Sequence, residues 1–415
     1  MRSDAPIGNH MQDFDVIILG AGAAGLMCAA VAGKRGMRVA VLEKGNKPGK
    51  KILISGGGRC NFTNIHTAPE NFISANPHFA KSALSRYTPQ DFIDLVDSHG
   101  IDWHEKTLGQ LFCDDSASQI VQMLLDECAR ASEFGGAIEV LCDAHISTVV
   151  RDAGVYAVAA NGQSLSAPNL VIATGGPSIP KMGASGFAYD LARQFGLKIV
   201  EPRPALVPFT LGDADLLFRE LSGVATPVRA RAGSGKSKAE FSEAALFTHK
   251  GLSGPAILQI SSYWRHGEQI ALSLLPDVET DWLVERKAKQ PKSTLRSALR
   301  DHLPSRLADA LAERIGLERE LGNLSDKDLR KAQDRLSDWR FIPTGTEGFA
   351  KAEVTIGGIS TSELSSRTME AKQVPGLFAI GEAVDVTGWL GGYNFQWAWA
   401  SGVAAGQELS LPDKN

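Results

Sequence analysis

The chain has 415 residues, of which 43% are apolar and 22% are charged, and its formal net charge is −4. This length allows two or three domains with a large core, and the slightly acidic balance argues against a generally basic nucleic-acid binder, so we expect no DNA partner. The five cysteines contain no C-x-x-C pair, and no leading segment has the pattern of a signal peptide. We therefore expect a cytoplasmic protein without a disulfide framework, a zinc site or any other bound metal.

Residues 14–45 are predicted to form a strand, a glycine-rich turn, a helix and a second strand. In the G-x-G-x-x-G turn, Gly20 permits the tight bend, Gly22 lets a pyrophosphate approach the backbone, and Gly25 allows close packing. Glu43 closes the second strand, where an acid accepts hydrogen bonds from ribose hydroxyls. A buried helical hairpin or a membrane span is the alternative, but the register of strand, turn, helix and acid favours a dinucleotide site. The expected cofactor contacts here are Gly20, Gly22, Ala23, Ala24, Gly25, Glu43 and Lys44.

Two further glycine segments lie in the middle and near the end of the chain, at 170–176 and 376–382. An enzyme that binds only NAD has no need of these two pieces, so the ordered set of three predicts one bound FAD, held without a covalent bond. Glu382 is suited to accept a hydrogen bond from a ribityl hydroxyl. The expected cofactor contacts in these segments are Thr174, Gly175, Gly381 and Glu382.

The composition changes several times between these segments. Short strand-like runs precede position 278, a charged helical stretch rich in Lys, Arg and Leu follows, and strand and glycine return near position 350. We therefore predict an FAD-binding domain in two parts, 12–203 and 353–415. A small β domain at 204–277 and 341–352 would interrupt it and would itself carry a helical insertion at 278–340.

Four longer motifs identify a family. They lie at 55–64 (S-G-G-G-R-C-N-F-T-N), 247–256 (F-T-H-K-G-L-S-G-P-A), 352–358 (A-E-V-T-I-G-G) and 381–398. With them the chain resembles, over nearly its whole length, the BaiN/RdsA-type family of bacterial NAD(P)/FAD-dependent oxidoreductases (YhiN-like flavoproteins). The resemblance implies an α/β fold in which an FAD-binding Rossmann-like domain is interrupted by a β-barrel-like domain with a helical insertion.

The resemblance also implies reduction of a C=C bond conjugated to a carbonyl. One branch of the family is associated with enones of bile-acid intermediates and another with uridine in ribosomal RNA. Hydride goes to the β carbon and a proton to the α carbon, which in uracil are C6 and C5. The best single prediction is a dihydrouridine synthase acting on large-subunit ribosomal RNA. A small-molecule enone reductase and a non-catalytic, FAD-bearing redox sensor or assembly factor are the alternatives.

NADH or NADPH is the expected electron donor. No second complete G-x-G-x-x-G motif follows Gly176, so a dedicated nicotinamide domain of the glutathione-reductase kind is not expected. The nicotinamide would then visit the flavin transiently and leave before the substrate enters.

Reduction of such a bond requires a hydrogen-bond donor at the carbonyl oxygen and one proton source. Arg59 and Asn61 carry donors suited to carbonyl or flavin oxygens, and Cys60 and Tyr393 can deliver a proton. The alternatives are that Cys60 is a small residue fitting against the flavin and that His249 makes a structural hydrogen bond. The catalytic candidates are Arg59, Cys60, Asn61, His249 and Tyr393. Further expected cofactor contacts are Gly57, Gly58, Arg59, Asn61, Asp385, Gly391, Gly392, Asn394 and Gln396.

An RNA substrate requires local positive charge in spite of the net charge of −4. Two groups of basic residues, one between 286 and 306 and one in a Gly/Ser loop of the β domain, suit contacts with phosphate. The alternative is that they form solvated surfaces. The groups are Arg286, Lys287, Lys289, Lys292, Arg296, Arg300 and Arg306, and Arg229, Arg231, Lys236 and Lys238.

Overall fold

The computed structural model describes residues 12–411 apart from 234, 236 and 237, so Lys236 of the second basic group lies outside the described residues. The chain forms two compact units. The first comprises the residues up to Arg203 and from Val354 onward, and the second is Pro204–Glu353. Within the described residues, no helix is both long enough and apolar enough to cross a membrane.

A five-stranded parallel sheet forms the centre of the first unit. Four of its strands are apolar and buried almost throughout, as expected for a sheet covered on both faces, whereas the edge strand Ala137–Leu141 is only partly buried. Because all neighbouring strands are parallel, their carboxyl ends meet at one edge, where such folds bind ligands. The predicted α/β fold with a Rossmann-type sheet is confirmed. The strands, in spatial order, are Leu377–Ala379, Asn169–Ile172, Val16–Leu19, Arg38–Leu42 and Ala137–Leu141.

The helix that follows the first strand, Ala23–Lys34, packs against the last helix of the chain, Tyr393–Glu408. Glycine makes this close approach possible. A Cβ added at Gly402 would lie 2.6 Å from the carbonyl oxygen of Ala24, and one at Gly406 would lie 2.9 Å from that of Cys28. The helix Tyr393–Glu408 is thereby fixed against the helix that follows the first glycine-rich turn.

The remaining elements of the first unit surround this sheet. Its other helices are Lys50–Ile54, Lys81–Arg86, Pro89–Ser98, Ala117–Ala129 and Phe187–Gln194. A four-stranded sheet contains Gln12–Asp13, Gln163–Ala167, Val155–Ala160 and Ile146–Asp152, and a three-stranded sheet contains Asn61–Asn64, Gln110–Cys113 and Trp103–Glu105. Two-stranded pairs are formed by Thr387–Gly388 with Phe72–Ile73 and by Ile199–Ala205 with Val354–Ile359.

The second unit is built on a seven-stranded antiparallel sheet with its own apolar core. Four helices lie in sequence between two adjacent strands of this sheet, Ile270–Ser273 and Trp339–Phe341. The other strands are Ala225–Ala232, Ala239–Phe247, Gly251–Ser253, Phe209–Thr210 and Gly345–Thr346. The helices of this unit are Leu216–Glu220, Pro255–Ser261, Trp282–Lys289, Leu295–Arg300, Ser305–Ile315 and Asp326–Ser337.

Candidate functional site

The first glycine-rich turn leaves open space at the carboxyl edge of the parallel sheet. Gly20 has φ +109°, and a Cβ there would lie 2.6 Å from the carbonyl oxygen of Ala173. A Cβ at Gly25 would lie 1.9 Å from the carbonyl oxygen of Gly20, whereas one at Gly22 would meet no atom within 4 Å. Gly20 and Gly25 are therefore required by packing, and Gly22 borders the free space before the helix N-terminus. That N-terminus carries the positive end of the helix dipole and suits a phosphate.

Glu43 is held beside this turn. Its carboxylate accepts hydrogen bonds from the backbone N–H of Ala21 at 3.0 Å and of Gly45 at 2.7 Å. A carboxylate offers about four acceptor positions, so two remain for the hydroxyls of a ribose. Its neighbour Lys44 is exposed, while Ala24 is buried against the last helix.

A polar network joins the second and third glycine segments. The carboxylate of Glu382 accepts hydrogen bonds from the Ser178 hydroxyl and the Thr355 backbone N–H, both at 2.8 Å. The ammonium group of Lys51 donates to both Ser178 and Glu382. A Cβ added at Gly175 would lie 3.8 Å from the Glu382 carboxylate, which places the network directly at the site.

Three buried hydroxyl groups lie at the same edge and make no hydrogen bond with any described residue: those of Thr174, Tyr189 and Thr355. A Cβ added at Gly176 would lie 2.6 Å from the Thr355 hydroxyl and 2.9 Å from that of Tyr189. Burial raises the pKa of Tyr189, and the carboxylates of Glu382 and Asp385 raise it further, so its hydroxyl stays protonated and can donate. Buried polar atoms are nearly always satisfied, so these groups indicate a polar ligand at this place.

Sequence reasoning missed several residues of this region. Tyr189 and Thr355 carried no assigned role, although Tyr189 follows the G-A-S-G run at 183–186 and Thr355 lies in the 352–358 motif. Lys51 and Ser178 were not predicted either. No sequence pattern indicates that they bind Glu382. A motif in or beside which they lie could have pointed to Tyr189 and Thr355. No motif points to Lys51 or Ser178.

The loop at 55–58 supplies a second glycine-lined surface. Gly56, Gly57 and Gly58 all have positive φ angles, of 57°, 68° and 88°, and a Cβ at Gly57 or Gly58 would meet no atom within 4 Å. Arg59, which follows, is exposed. Cys60 is completely buried, has φ +50°, and its pKa is raised by burial.

The loop before the last helix lies against the strand Asn61–Asn64. A Cβ at Gly392 would lie 2.3 Å from the carbonyl oxygen of Thr63, and the Asn64 amide donates to the carbonyl of Gly391 at 2.9 Å. Gln110 completes the contact, because a Cβ at Gly391 would lie 2.9 Å from its side chain, which is also 2.9 Å from the Asn61 amide. Gln110 is a further residue of this region that no sequence motif predicts.

The side chains of Asn394 and Gln396 are engaged within the protein. Asn394 accepts a hydrogen bond from the backbone N–H of Gly388 and donates to the carbonyls of Gly388 and Trp389. Gln396 is completely buried, accepts from Thr63 at 2.6 Å and donates to the Tyr87 carbonyl at 2.9 Å. Both side chains therefore help to position this loop, and each amide oxygen keeps one acceptor position beyond these bonds.

Three further predicted residues have distinct surroundings. Tyr393 is buried, and its ring makes edge contacts with Phe72 and Trp389. Asp385 is buried and accepts a hydrogen bond from the Ala75 backbone N–H at 2.9 Å. Burial raises the pKa of Asp385 to about 6, and the Ala75 bond partly opposes this rise.

All but one of the predicted catalytic and cofactor-binding residues belong to the first unit. The exception, His249, belongs to the second unit, where it is exposed and its carbonyl accepts a hydrogen bond from Arg219. Open space at Gly22, acceptors at Glu43 and unpartnered hydroxyls around Gly176 fit the phosphates, ribose and polar chain of FAD. The individual roles of these residues stay predictions.

Comparison with known proteins gives full-length matches. The family described as "HI0933-like protein Rossmann domain" matches residues 14–408. The chain is 52% identical over 409 residues to an Escherichia coli protein named "Ribosomal RNA dihydrouridine synthase", covering 96% of this chain and 98% of that one. A Haemophilus influenzae protein of the same name is 47% identical, with 95% and 98% covered. A Clostridium scindens protein named "3-dehydro-bile acid delta(4,6)-reductase" is 29% identical, with 94% and 97% covered.

Proposed function

The chain belongs to the HI0933-like family, and on that premise we propose that it is an FAD-dependent oxidoreductase that reduces uridine to dihydrouridine in ribosomal RNA. The observation that carries the proposal is the identity of 52% with a ribosomal RNA dihydrouridine synthase over 96% of this chain and 98% of the relative. The bile-acid reductase, at 29% identity, acts on a different molecule, yet both substrates contain a C=C bond conjugated to a carbonyl.

FAD, when bound, supplies the hydride chemistry that no side chain can perform. The first glycine-rich turn and its helix would hold the pyrophosphate, and Glu43 would hold the ribose. Glu382, Thr174, Tyr189 and Thr355 would hold the polar chain of the cofactor, because their oxygens converge at the carboxyl edge of the sheet.

The chain's further task is to polarise the uracil carbonyl and supply one proton to C5. Arg59 is exposed, directly follows the three glycines with positive φ angles, and carries five N–H donors. We therefore propose that it donates a hydrogen bond to the uracil carbonyl. Asn61 is held beside Gln110 and next to the loop of Gly392, so we propose that it orients this region. NADH or NADPH is proposed as the electron donor, without a dedicated nicotinamide domain.

The proposal is tested by mass-spectrometric mapping of dihydrouridine in ribosomal RNA from cells with and without this gene. We expect one uridine position to lose its mass increase of about 2 Da on deletion and to regain it when the gene is restored. A map that is unchanged by deletion would contradict the proposal. Reduced protein would then be screened against small enones, guided by the bile-acid reductase relative.

A further inference from the structure

We propose that a groove of arginines in the second unit binds phosphodiester groups of the RNA substrate; this inference rests on the proposed function. The groove has a volume of about 270 Å³. It is separate from the basic groups that the sequence singles out, apart from Arg231 at its margin. Its lining residues are Asp215, Arg314, Arg335, Asp338, Trp339 and Arg340.

Positive charge exceeds negative charge in this groove. The carboxylate of Asp338 is shared by two guanidinium groups, those of Arg231 at 2.8 Å and Arg340 at 2.7 Å. Arg314 and Arg335 form no ion pair with any described carboxylate within 4.0 Å. Four guanidinium groups therefore face two carboxylates, those of Asp338 and Asp215.

Neutral groups hold the two unpaired arginines in place. Arg335 lies over the ring of Trp339, with its guanidinium carbon 4.6 Å from the ring centroid, and donates to the carbonyl of Arg314 at 3.2 Å. Arg314 in turn donates to the carbonyl of Ala214 at 3.4 Å. These contacts orient the guanidinium groups without neutralising them, which lowers the entropy lost when an anion binds.

The geometry favours an RNA backbone as the ligand. Guanidinium groups recognise phosphate oxygens through paired N–H donors, and Arg314, Arg335 and Arg340 are all exposed, so a polymer can lie across the groove. Trp339 is only 5% exposed and is covered by Arg335, so it offers no face for stacking on a base. The groove is therefore expected to bind the phosphates of the RNA without selecting a base sequence.

The basic group at 286–306 is, by contrast, neutralised in part by neighbouring carboxylates. Four of its seven side chains form ion pairs, and Arg306 donates to the carbonyls of Glu220 and Ser222. The ion pairs are Arg286–Asp301 at 2.7 Å, Lys287–Asp326 at 2.8 Å, Lys289–Glu285 at 3.4 Å and Arg300–Asp309 at 2.7 Å. Arg314 and Arg335, by contrast, line one concave surface, so the phosphate contacts are proposed there.

The test measures the affinity of the FAD-loaded protein for ribosomal RNA as a function of salt concentration. The groove variant is Arg314→Gln with Arg335→Gln. The control is Lys327→Gln with Lys331→Gln, which makes the same charge change on exposed residues of the helix Asp326–Ser337, outside the groove lining. We expect the groove variant to bind about tenfold more weakly near physiological salt, and the slope of log affinity against log salt to fall by about 1.4, as for two single-stranded phosphate contacts. The control should keep the wild-type affinity and slope.

Equal affinities in the two double variants would overturn the proposal. If Arg335→Gln impairs folding, the single variant Arg314→Gln serves, with an expected loss of about threefold to fourfold. Thermal stabilisation by inorganic phosphate is measured in parallel, and its loss with RNA affinity unchanged would also overturn the proposal. RNA binding is measured without NAD(P)H, so it does not depend on turnover. Equal RNA affinities of the two double variants would overturn only the groove, whereas an unchanged dihydrouridine map would contradict the proposed function itself.

Discussion

Lys51 and Glu382 form an ion pair in the first unit, with a distance of 2.5 Å between the ammonium nitrogen and a carboxylate oxygen, although they are 331 positions apart in the chain. Lys51 precedes the glycine loop at 55–58, and Glu382 belongs to the last glycine segment. The Ser178 hydroxyl bonds to both, at 2.7 Å and 2.8 Å. One small network thus fixes three distant segments around the place proposed for the cofactor.

The variant Glu382→Gln should weaken this arrangement. The substitution removes the charge that strengthens the bonds from Lys51, Ser178 and the Thr355 N–H, and hydrogen bonds to charged groups contribute about 1.5–3 kcal/mol. We expect FAD to bind about tenfold more weakly, measured by quenching of flavin fluorescence. The control Glu363→Gln breaks an ion pair with Lys198 in the same unit and should leave FAD affinity unchanged. Equal affinities of the Glu382→Gln variant and the wild type would contradict the proposed role.

The variant Gly176→Ala tests two of the three unpartnered hydroxyls, those of Thr355 and Tyr189. Its Cβ would come within 2.9 Å of both the Thr355 and the Tyr189 hydroxyl, so it would fill the space that a ligand atom is expected to occupy. We expect the purified protein to lose most of its FAD absorbance while remaining folded by circular dichroism. Gly186→Ala is the control, because Gly186 has φ −77° and the nearest atom is 4.0 Å away. FAD retention by the Gly176→Ala variant would show that the hydroxyls do not face the cofactor.

The sequence predicted the parts of the fold that depend on local patterns. The G-x-G-x-x-G spacing requires Gly20 and Gly25 at positions where a Cβ would collide with backbone, and these contacts are present. The first two strands of the parallel sheet could be predicted because strands buried on both faces have almost wholly apolar sequences. The α/β fold could therefore be predicted correctly from patterns that are local in the sequence.

Partnerships between distant polar residues could not be predicted. No spacing rule connects Lys51 with Glu382 or Gln110 with Gly391, since these contacts exist only after the sheet and the last helix have formed. Gln396 illustrates the converse: it lies in a cofactor-like motif, yet its amide bonds to Thr63 and Tyr87. A motif therefore locates the site but does not assign each side chain in it.

Glu127 should make the free energy of unfolding depend on pH in the acid range. Burial alone would raise the pKa of its carboxyl, but hydrogen bonds and charges from Lys34, His99 and Arg130 lower it to about 2. A folded-state pKa below the usual value of 4.5 contributes stability above pH 4.5 that is lost as the pH falls toward 2. The contribution is about 3 kcal/mol by this linkage. The denaturation midpoint of Glu127→Gln should fall at pH 7 and lose this pH dependence. A wild-type pH profile in the variant would contradict the assignment.

Asp385 should have the opposite effect in a different pH range. Its folded-state pKa is raised from 3.8 to about 6 by burial, so the stability that it contributes is present below pH 3.8 and is lost as the pH rises to 6. The loss is about 3 kcal/mol. Asp385→Asn keeps an acceptor for the Ala75 N–H and removes the titration, so the variant should be more stable than the wild type above pH 6. Asp190→Asn, at an exposed aspartate, is the control. Wild-type behaviour of Asp385→Asn between pH 4 and 7 would refute the shift.

Cys60 should prove dispensable as a proton donor. Its side chain is completely buried, and burial raises the pKa of the thiol, so it neither reaches solvent nor gives up its proton readily. We expect Cys60→Ala to keep its FAD and to reduce uridine in ribosomal RNA with a kcat within about threefold of the wild type. Cys142→Ala, at a half-buried cysteine, is the control. A kcat loss of a hundredfold with FAD retained, together with rapid alkylation of Cys60 in the native protein, would instead assign the proton to this thiol.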